Sequence, residues 1–224
     1  MVDRLNEVIF AIEHESCWTS FVGDFVVRTI KFSVDSEKNY IRSIITLDKA
    51  YKGIISKIRK SNSFLGNSSL MLDQNGRIIF DFRKKFRGTV MDTVYLHNGM
   101  IIDGFKYNGK EFWRILIYES HLNELLQDLR SKGNIYLIRK SEFEIEDDDL
   151  SPQELKILGV AYRTGYFDFP RKIKSDKISK LVDISKSTFI YHLRSAEHKM
   201  VKKYLKEIEF LNLPNKLKKD NDNP

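Results

Sequence analysis

A chain of 224 residues with a formal net charge of +7 and a single cysteine, Cys17, is long enough for two small domains and has no internal disulfide to staple them. No run of eighteen apolar residues occurs, and the opening MVDRLNEVIFAIEHE carries acids where a secretory leader carries basic and then apolar residues, so a soluble, cytoplasmic protein is expected. Residues 151–224 hold sixteen Lys or Arg against nine Asp or Glu, whereas residues 1–150 hold twenty-two of each, so only the last third has an electrostatic reason to seek a polyanion.

In chain order, the apolar run 7–12 and the β-branched and aromatic runs 25–34 and 40–47 read as strands, the last two joined by the turn Asp35-Ser36-Glu37-Lys38-Asn39. Asp48 is placed to cap a helix carrying Tyr51, Ile54, Ile55 and Ile58 at helical spacing. Strands follow at 70–72 and 77–82, around Gln74-Asn75-Gly76. The next block repeats that order. Residues 89–96, 100–107 and 111–118 read as strands joined by two hairpin signals, Asn98-Gly99 and Asn108-Gly109. Ser120 then caps a helix with Leu122, Leu125, Leu126 and Leu129 on one face, Gly133 stops it, and 135–143 returns as a strand. This layout predicts an α+β sensor or dimerisation domain over residues 1–145, built of two ferredoxin-like halves that share one sheet or pack side by side.

Residues 142–149 hold six acids in eight positions and read as a linker. Ser151-Pro152-Gln153-Glu154 is a capping box that starts a helix, with Leu155, Leu158 and Tyr162 expected toward the core. Ser175 is the expected cap of a second helix, with Ile178, Leu181 and Val182 on one face, and the turn Asp183-Ile184-Ser185 leads to a third. There Phe189, Leu193 and Ala196 face inward together with Ile184. Two short helices joined by a tight turn form a helix-turn-helix, and residues 171–206 concentrate eleven cations against three acids on it. Lys186, Ser187, Thr188, Tyr191 and Arg194 project outward and are expected to contact bases; Arg171, Lys172, Lys174, Lys177 and Ser185 are expected to contact phosphates. The helical pattern then runs on. Met200, Tyr204, Leu205, Ile208 and Leu211 form an apolar stripe, the expected seam of a homodimer, with docking on the N-terminal domain as the other option. The all-α domain with its extended C-terminal helix is placed at 146–213, and 214–224 is expected to be disordered.

Residues 151–200 resemble the bat-type helix-turn-helix of archaeal bacterio-opsin-activator-like regulators. The resemblance lies in Ser151-Pro152, Ala161-Tyr162, Gly165-Tyr166-Phe167-Asp168 before Pro170-Arg171, then Ile184-Ser185-Lys186-Ser187-Thr188-Phe189, His192-Leu193-Arg194 and Ala196-Glu197. It implies a DNA-binding transcription regulator with no catalytic activity of its own.

No recognised zinc spacing links His14, His97, His121, His192 or His198 with one another or with Cys17, and no phosphate loop, nucleophile elbow or metalloprotease helix is present. No catalysis, cofactor or metal is therefore expected. His14, Cys17 and Trp18 form a candidate sensor pocket; the blander reading is a buried thiol beside a packed indole. The expected partners are double-stranded DNA, a second copy of the chain and an unidentified small-molecule effector, with no membrane. A reading from another class is a metabolite-binding or enzymatic α+β domain whose basic module binds RNA or a protein.

Overall fold

Runs rich in β-branched and aromatic residues form eight strands: β1 (Leu5–Glu13), β2 (Val27–Asp35), β3 (Tyr40–Asp48), β4 (Phe64–Leu72), β5 (Arg77–Lys85), β6 (Met100–Tyr107), β7 (Lys110–Tyr118) and β8 (Asn134–Glu142). Between them lie helices α1 (Gly53–Arg59), α2 (Val90–Leu96) and α3 (Glu119–Arg130), with 3₁₀ turns at Trp18–Phe21 and Lys49–Tyr51. The computed structural model describes residues 3–14, 17–144 and 149–213, except for the side chains of Glu207 and Leu211, and divides the chain into two units at Phe143/Glu144.

The strands make one antiparallel sheet in the order β4-β5-β3-β2-β6-β7-β1-β8. Its chain order is two βαββαβ units, β1 to β4 and β5 to β8, with the 3₁₀ turn Trp18–Phe21 in the place of the first helix. The two halves have exchanged their first strands. β1 lies between β7 and β8, and β5 lies between β3 and β4, so each half is completed by a strand from the other. Where they meet, β2 and β6 pair only through Val27–Lys106 and Arg28–Phe105. The ferredoxin-like halves expected from the layout thus share one sheet.

Two apolar clusters sit under the helices. Leu122, Leu125 and Leu129 of α3 and Val90, Met91 and Val94 of α2 pack on Val8, Phe10 and Ile12 of β1 and Ile115 and Ile117 of β7. Ile54, Ile55 and Ile58 of α1 pack on Ile45, Leu47, Phe80 and Phe82, with Trp18. Burying a side chain of this size contributes roughly 1.5–3 kcal/mol, which is what holds such short helices to the sheet.

Three local readings are corrected. Residues 89–96 are not a strand: the Thr89 hydroxyl accepts from Asp92 N at 3.2 Å and caps α2, while Gly99 N donates to Val94 O at 2.8 Å and ends it. The β-branched residues that suggested a strand are a cap and an inward helix face. Asn98-Gly99 therefore closes a helix, whereas Asn108-Gly109, with φ of 46° and 76°, makes the expected β6–β7 hairpin. Ser120 lies inside the first turn of α3, where its hydroxyl donates to Asp3, and Tyr118 is the N-cap.

The second unit has α4 (Pro152–Arg163), α5 (Ser175–Leu181) and α6 (Lys186–Leu211) around Ile157, Ala161, Tyr166, Ile178, Val182, Phe189 and Leu193. The capping box at Ser151 forms as read. Leu155, Tyr162 and Leu181, expected inside, are 60%, 76% and 65% exposed. The inward face of α4 runs through Glu154, Ile157 and Ala161, so Leu155 and Tyr162, each one residue past an inward position, turn about 100° away from it toward solvent. Lys174, not Ser175, is the N-cap of α5, without a side-chain bond. Most of the acidic linker (145–148) and the tail (214–224) lie outside the described residues.

Candidate nucleic-acid interface and effector cavity

The start of α6 is fixed by its own hydroxyls. Ser185 Oγ accepts from Thr188 N at 3.0 Å and lies 2.8 and 2.7 Å from the hydroxyls of Ser187 and Thr188. The preceding turn has Asp183 at φ 55°, a conformation that Asp tolerates, and Ile184 N donates to Ser179 O at 3.0 Å to tie α5 to the turn. Phe189 and Leu193 are buried, with Phe189 edge-on to Tyr166 at 5.6 Å. Opposite that core, Ser187, Tyr191 and Arg194 are exposed, and His198 continues the row. His198 escaped the sequence reading, although its spacing of four from Arg194 and seven from Tyr191 was a visible signal. Thr188 is half-buried, and Lys186 forms an ion pair with Asp176 at 2.9 Å between the starts of α5 and α6.

The five residues expected on phosphates stand in different environments. Lys174 and Lys177 are exposed at the start of α5. Lys172 is paired with Asp168 at 2.6 Å, the Arg171 guanidinium lies 4.5 Å over the Tyr166 ring, and Ser185 Oγ serves as the cap. Behind this surface Glu154 has a second role beyond the capping box. Its carboxylate accepts from Ser151 N at 2.8 Å, Ser195 Oγ at 2.6 Å and Lys199 Nζ at 2.9 Å, which ties the start of α4 to the middle of α6. The Ser195 and Lys199 bonds and the Ser151 amide hold its carboxyl down at about 2.

On α6 past the three-helix core, Met200, Tyr204 and Leu205 are exposed and Ile208 is half-buried; the Leu211 side chain lies outside the described residues. Phe210, which the stripe did not include, is buried.

In the first unit, the candidate sensor residues come together around a group that the sequence reading missed. Glu111 Oε1 lies 3.4 Å from both His14 Nε2 and Cys17 Sγ, and Trp113 Nε1 donates to Oε2 at 3.0 Å. Glu111 faces Lys106 across the β6–β7 pair, and Lys84 of β5 projects from the same face of the sheet. All three charged residues are buried. Burial alone would push the Glu111 carboxyl up, but the His14 hydrogen bond and the charges of Lys84 and Lys106 hold it well below the usual range. Burial brings Lys106 down to about 8 against the pull of Glu111, and burial and the Glu111 charge push the Cys17 thiol up. A cavity of about 500 Å³ opens over this floor, lined by His14, Cys17, Lys84, Glu111 and Trp113 and rimmed by Lys85, Arg87 and Lys132. Trp18 lines a small chamber beneath it with Lys84 and Lys106. Two glycines allow this arrangement. A Cβ at Gly104 would lie 2.7 Å from the Trp113 ring, and one at Gly133 would overlap the Glu13 carbonyl oxygen just before His14. The signal in the sequence was a charge at an inward position of an alternating strand, as in Phe80-x-Phe82-x-Lys84 and Glu111-x-Trp113-x-Ile115.

Comparison with known proteins places the two surfaces differently. Residues 150–202 match the model of a helix-turn-helix DNA-binding domain family. Among curated proteins, the chain is 32% identical over 57 residues to the transcriptional regulator NarO of Haloferax volcanii, covering 25% of this chain and 27% of that protein. It is 35% identical over 60 residues to the bacterioopsin transcriptional activator of Halobacterium salinarum, covering 27% of this chain and 9% of that protein. The chain thus spans well under two thirds of either relative. Among the described residues, no helix is long and apolar enough to cross a membrane. With its Ser185-capped helix, buried Phe189 and Leu193 and exposed Tyr191 and Arg194, the matched segment has the build of a helix-turn-helix DNA-binding domain and is similar to that of the bacterio-opsin-activator type.

Proposed function

We propose that this chain is a DNA-binding transcription regulator that acts as a homodimer and whose N-terminal unit senses a small-molecule effector. The observation that carries the reading is the exposed row Ser187, Tyr191, Arg194 and His198, on the side of α6 opposite its buried anchors, within the segment matched to DNA-binding domains. A rigidly capped helix with hydroxyls, an aromatic ring and a guanidinium at its start has the donors and shape for the major groove, where Arg reads guanine. Lys174 and Lys177 flank it as phosphate contacts, and Lys172 and Arg171 join them once released from Asp168 and Tyr166. A gel shift with duplex from upstream of its own gene, against random duplex and RNA competitors, tests the reading. Retention that either competitor removes equally would replace regulation with generic polyanion affinity.

The dimer uses the C-terminal part of α6, where Met200, Tyr204 and Leu205 lie exposed. Pairing there sets two recognition helices for successive major grooves, roughly 34–36 Å apart. A Leu205→Glu, Ile208→Glu double variant halves the mass seen by light scattering, since charges are not tolerated in an apolar seam. A variant that stays dimeric and keeps its DNA affinity puts the seam elsewhere.

A further inference from the structure

We propose that the cavity at the seam of the two halves binds a small organic anion through a carboxylate or phosphate group, with Lys84 as the head-group ligand and Lys85 and Lys132 drawing the anion in, while Arg87 at the rim stays paired with Asp92 at 3.2 Å. The inference rests on the sensing role proposed above and gives the effector a chemical class.

Four observations support it. First, the charge of the cavity does not balance. Lys84 in the cavity and Lys106 in the small chamber beside it face one carboxylate, Glu111, which already accepts from Trp113 and His14. Second, Lys84 is 9% exposed and lines the cavity, and among the described residues its ammonium has no hydrogen-bond or ion-pair partner. A mostly buried side chain whose cation meets a cavity without a counter-ion of its own is placed to take an anionic group. Lys106 by contrast is occupied, with Thr29 Oγ1 at 3.2 Å and the Trp113 ring 4.5 Å away. Third, among the described residues the indole N–H of Trp18, which lines the chamber below, has no acceptor. Fourth, a volume of about 500 Å³ suits a metabolite rather than a lone ion. The rival occupant is a cation, because the donor atoms of His14, Cys17 and Glu111 lie within 4.8 Å of one another. Two lysine charges beside that carboxylate oppose it, and the same charges favour an anion.

The only tryptophans of the chain are Trp18 and Trp113, so the intrinsic fluorescence of the full-length protein reports on this site. Titration at constant ionic strength with citrate, inorganic phosphate and glucose 6-phosphate, and with glucose as the neutral control, separates carboxylate from phosphate recognition. The expected result is a saturable change with at least one anion and none with glucose. Lys84→Met weakens it roughly tenfold or more, and Lys132→Met on the exposed rim weakens it less, while Lys49→Gln, at the opposite end of the β3–β5 pair from Lys84, leaves it unchanged. Should Lys84→Met not fold, Lys132→Met carries the test. No saturable response to any of the three anions, or equal responses in the wild type and both cavity variants, overturns the proposal. So does saturation by Zn²⁺ with the anions inert. Anion binding that leaves DNA affinity untouched upholds the site and removes the sensing role.

Discussion

Two buried carboxylates, one in each unit, solve the same problem in opposite ways. Glu154 is closed: the Ser151 amide, Ser195 and Lys199 fill its acceptor positions, and one cation answers one anion. Glu111 is open: it is bonded as fully, yet it sits before two buried lysines and under a cavity with Lys85, Lys132 and the Asp92-paired Arg87 at its rim. A balanced network is a structural latch, whereas an unbalanced one with access to solvent is where the proposed anion would complete the charge balance.

The comparison breaks most visibly on substitution in the open network. Glu111→Gln leaves Lys84 and Lys106 without their counter-charge and is expected to cost about 3–5 kcal/mol of stability in the first unit. Lys84→Met removes the surplus and is expected to be neutral or stabilising, within about 1 kcal/mol. Chemical denaturation followed by tryptophan fluorescence measures both in the intact chain, because the second unit contains no tryptophan. Equal losses in the two variants would make the floor an ordinary ion pair.

On the DNA side the effects are smaller. Arg194→Ala is expected to cost roughly 1–3 kcal/mol at a specific site and to relax one base pair, whereas Lys174→Ala weakens all sequences alike and flattens the slope of log affinity against log salt by about one unit. Binding isotherms at several salt concentrations tell base readers from phosphate holders, and exchanged signatures would exchange the roles.

The smallest effect concerns the closed latch and acid. The Glu154 carboxyl lies below its usual value, so its contribution is complete above about pH 4.5 and is lost as the pH falls through about 2. Helical circular dichroism of the wild type and of Glu154→Gln should converge at the acid end of that window and separate above it. Curves that stay parallel throughout would remove Glu154 as the latch.

Legibility followed the range of the forces involved. Ser151, Ser185 and the Asn108-Gly109 turn were readable because a cap or a tight turn is decided within four residues. Thr89 misled because a β-branched cap before Val90 looks like the start of a strand until the Asp92 amide is seen beneath it. Tyr162 and Leu181 misled because an apolar residue one step off the inward face still fits a loose helical spacing. Lys84, Lys106 and Glu111 belong to three strands, and His14 and Cys17 follow the end of a fourth, so no local pattern could join them. The exchange of first strands was invisible for the same reason: chain order is identical whether β1 pairs within its own half or crosses to the other.

That exchange turns β1 into a mechanical spoke. At one end it runs directly into His14 and Cys17 at the cavity; at the other Leu5 O accepts from Phe143 N at 2.8 Å, the last residue of the first unit, from which the chain departs toward the DNA-binding helices. Nine residues of extended chain, about 30 Å at strand rise, thus join the cavity end of the sheet to the last residue of the first unit.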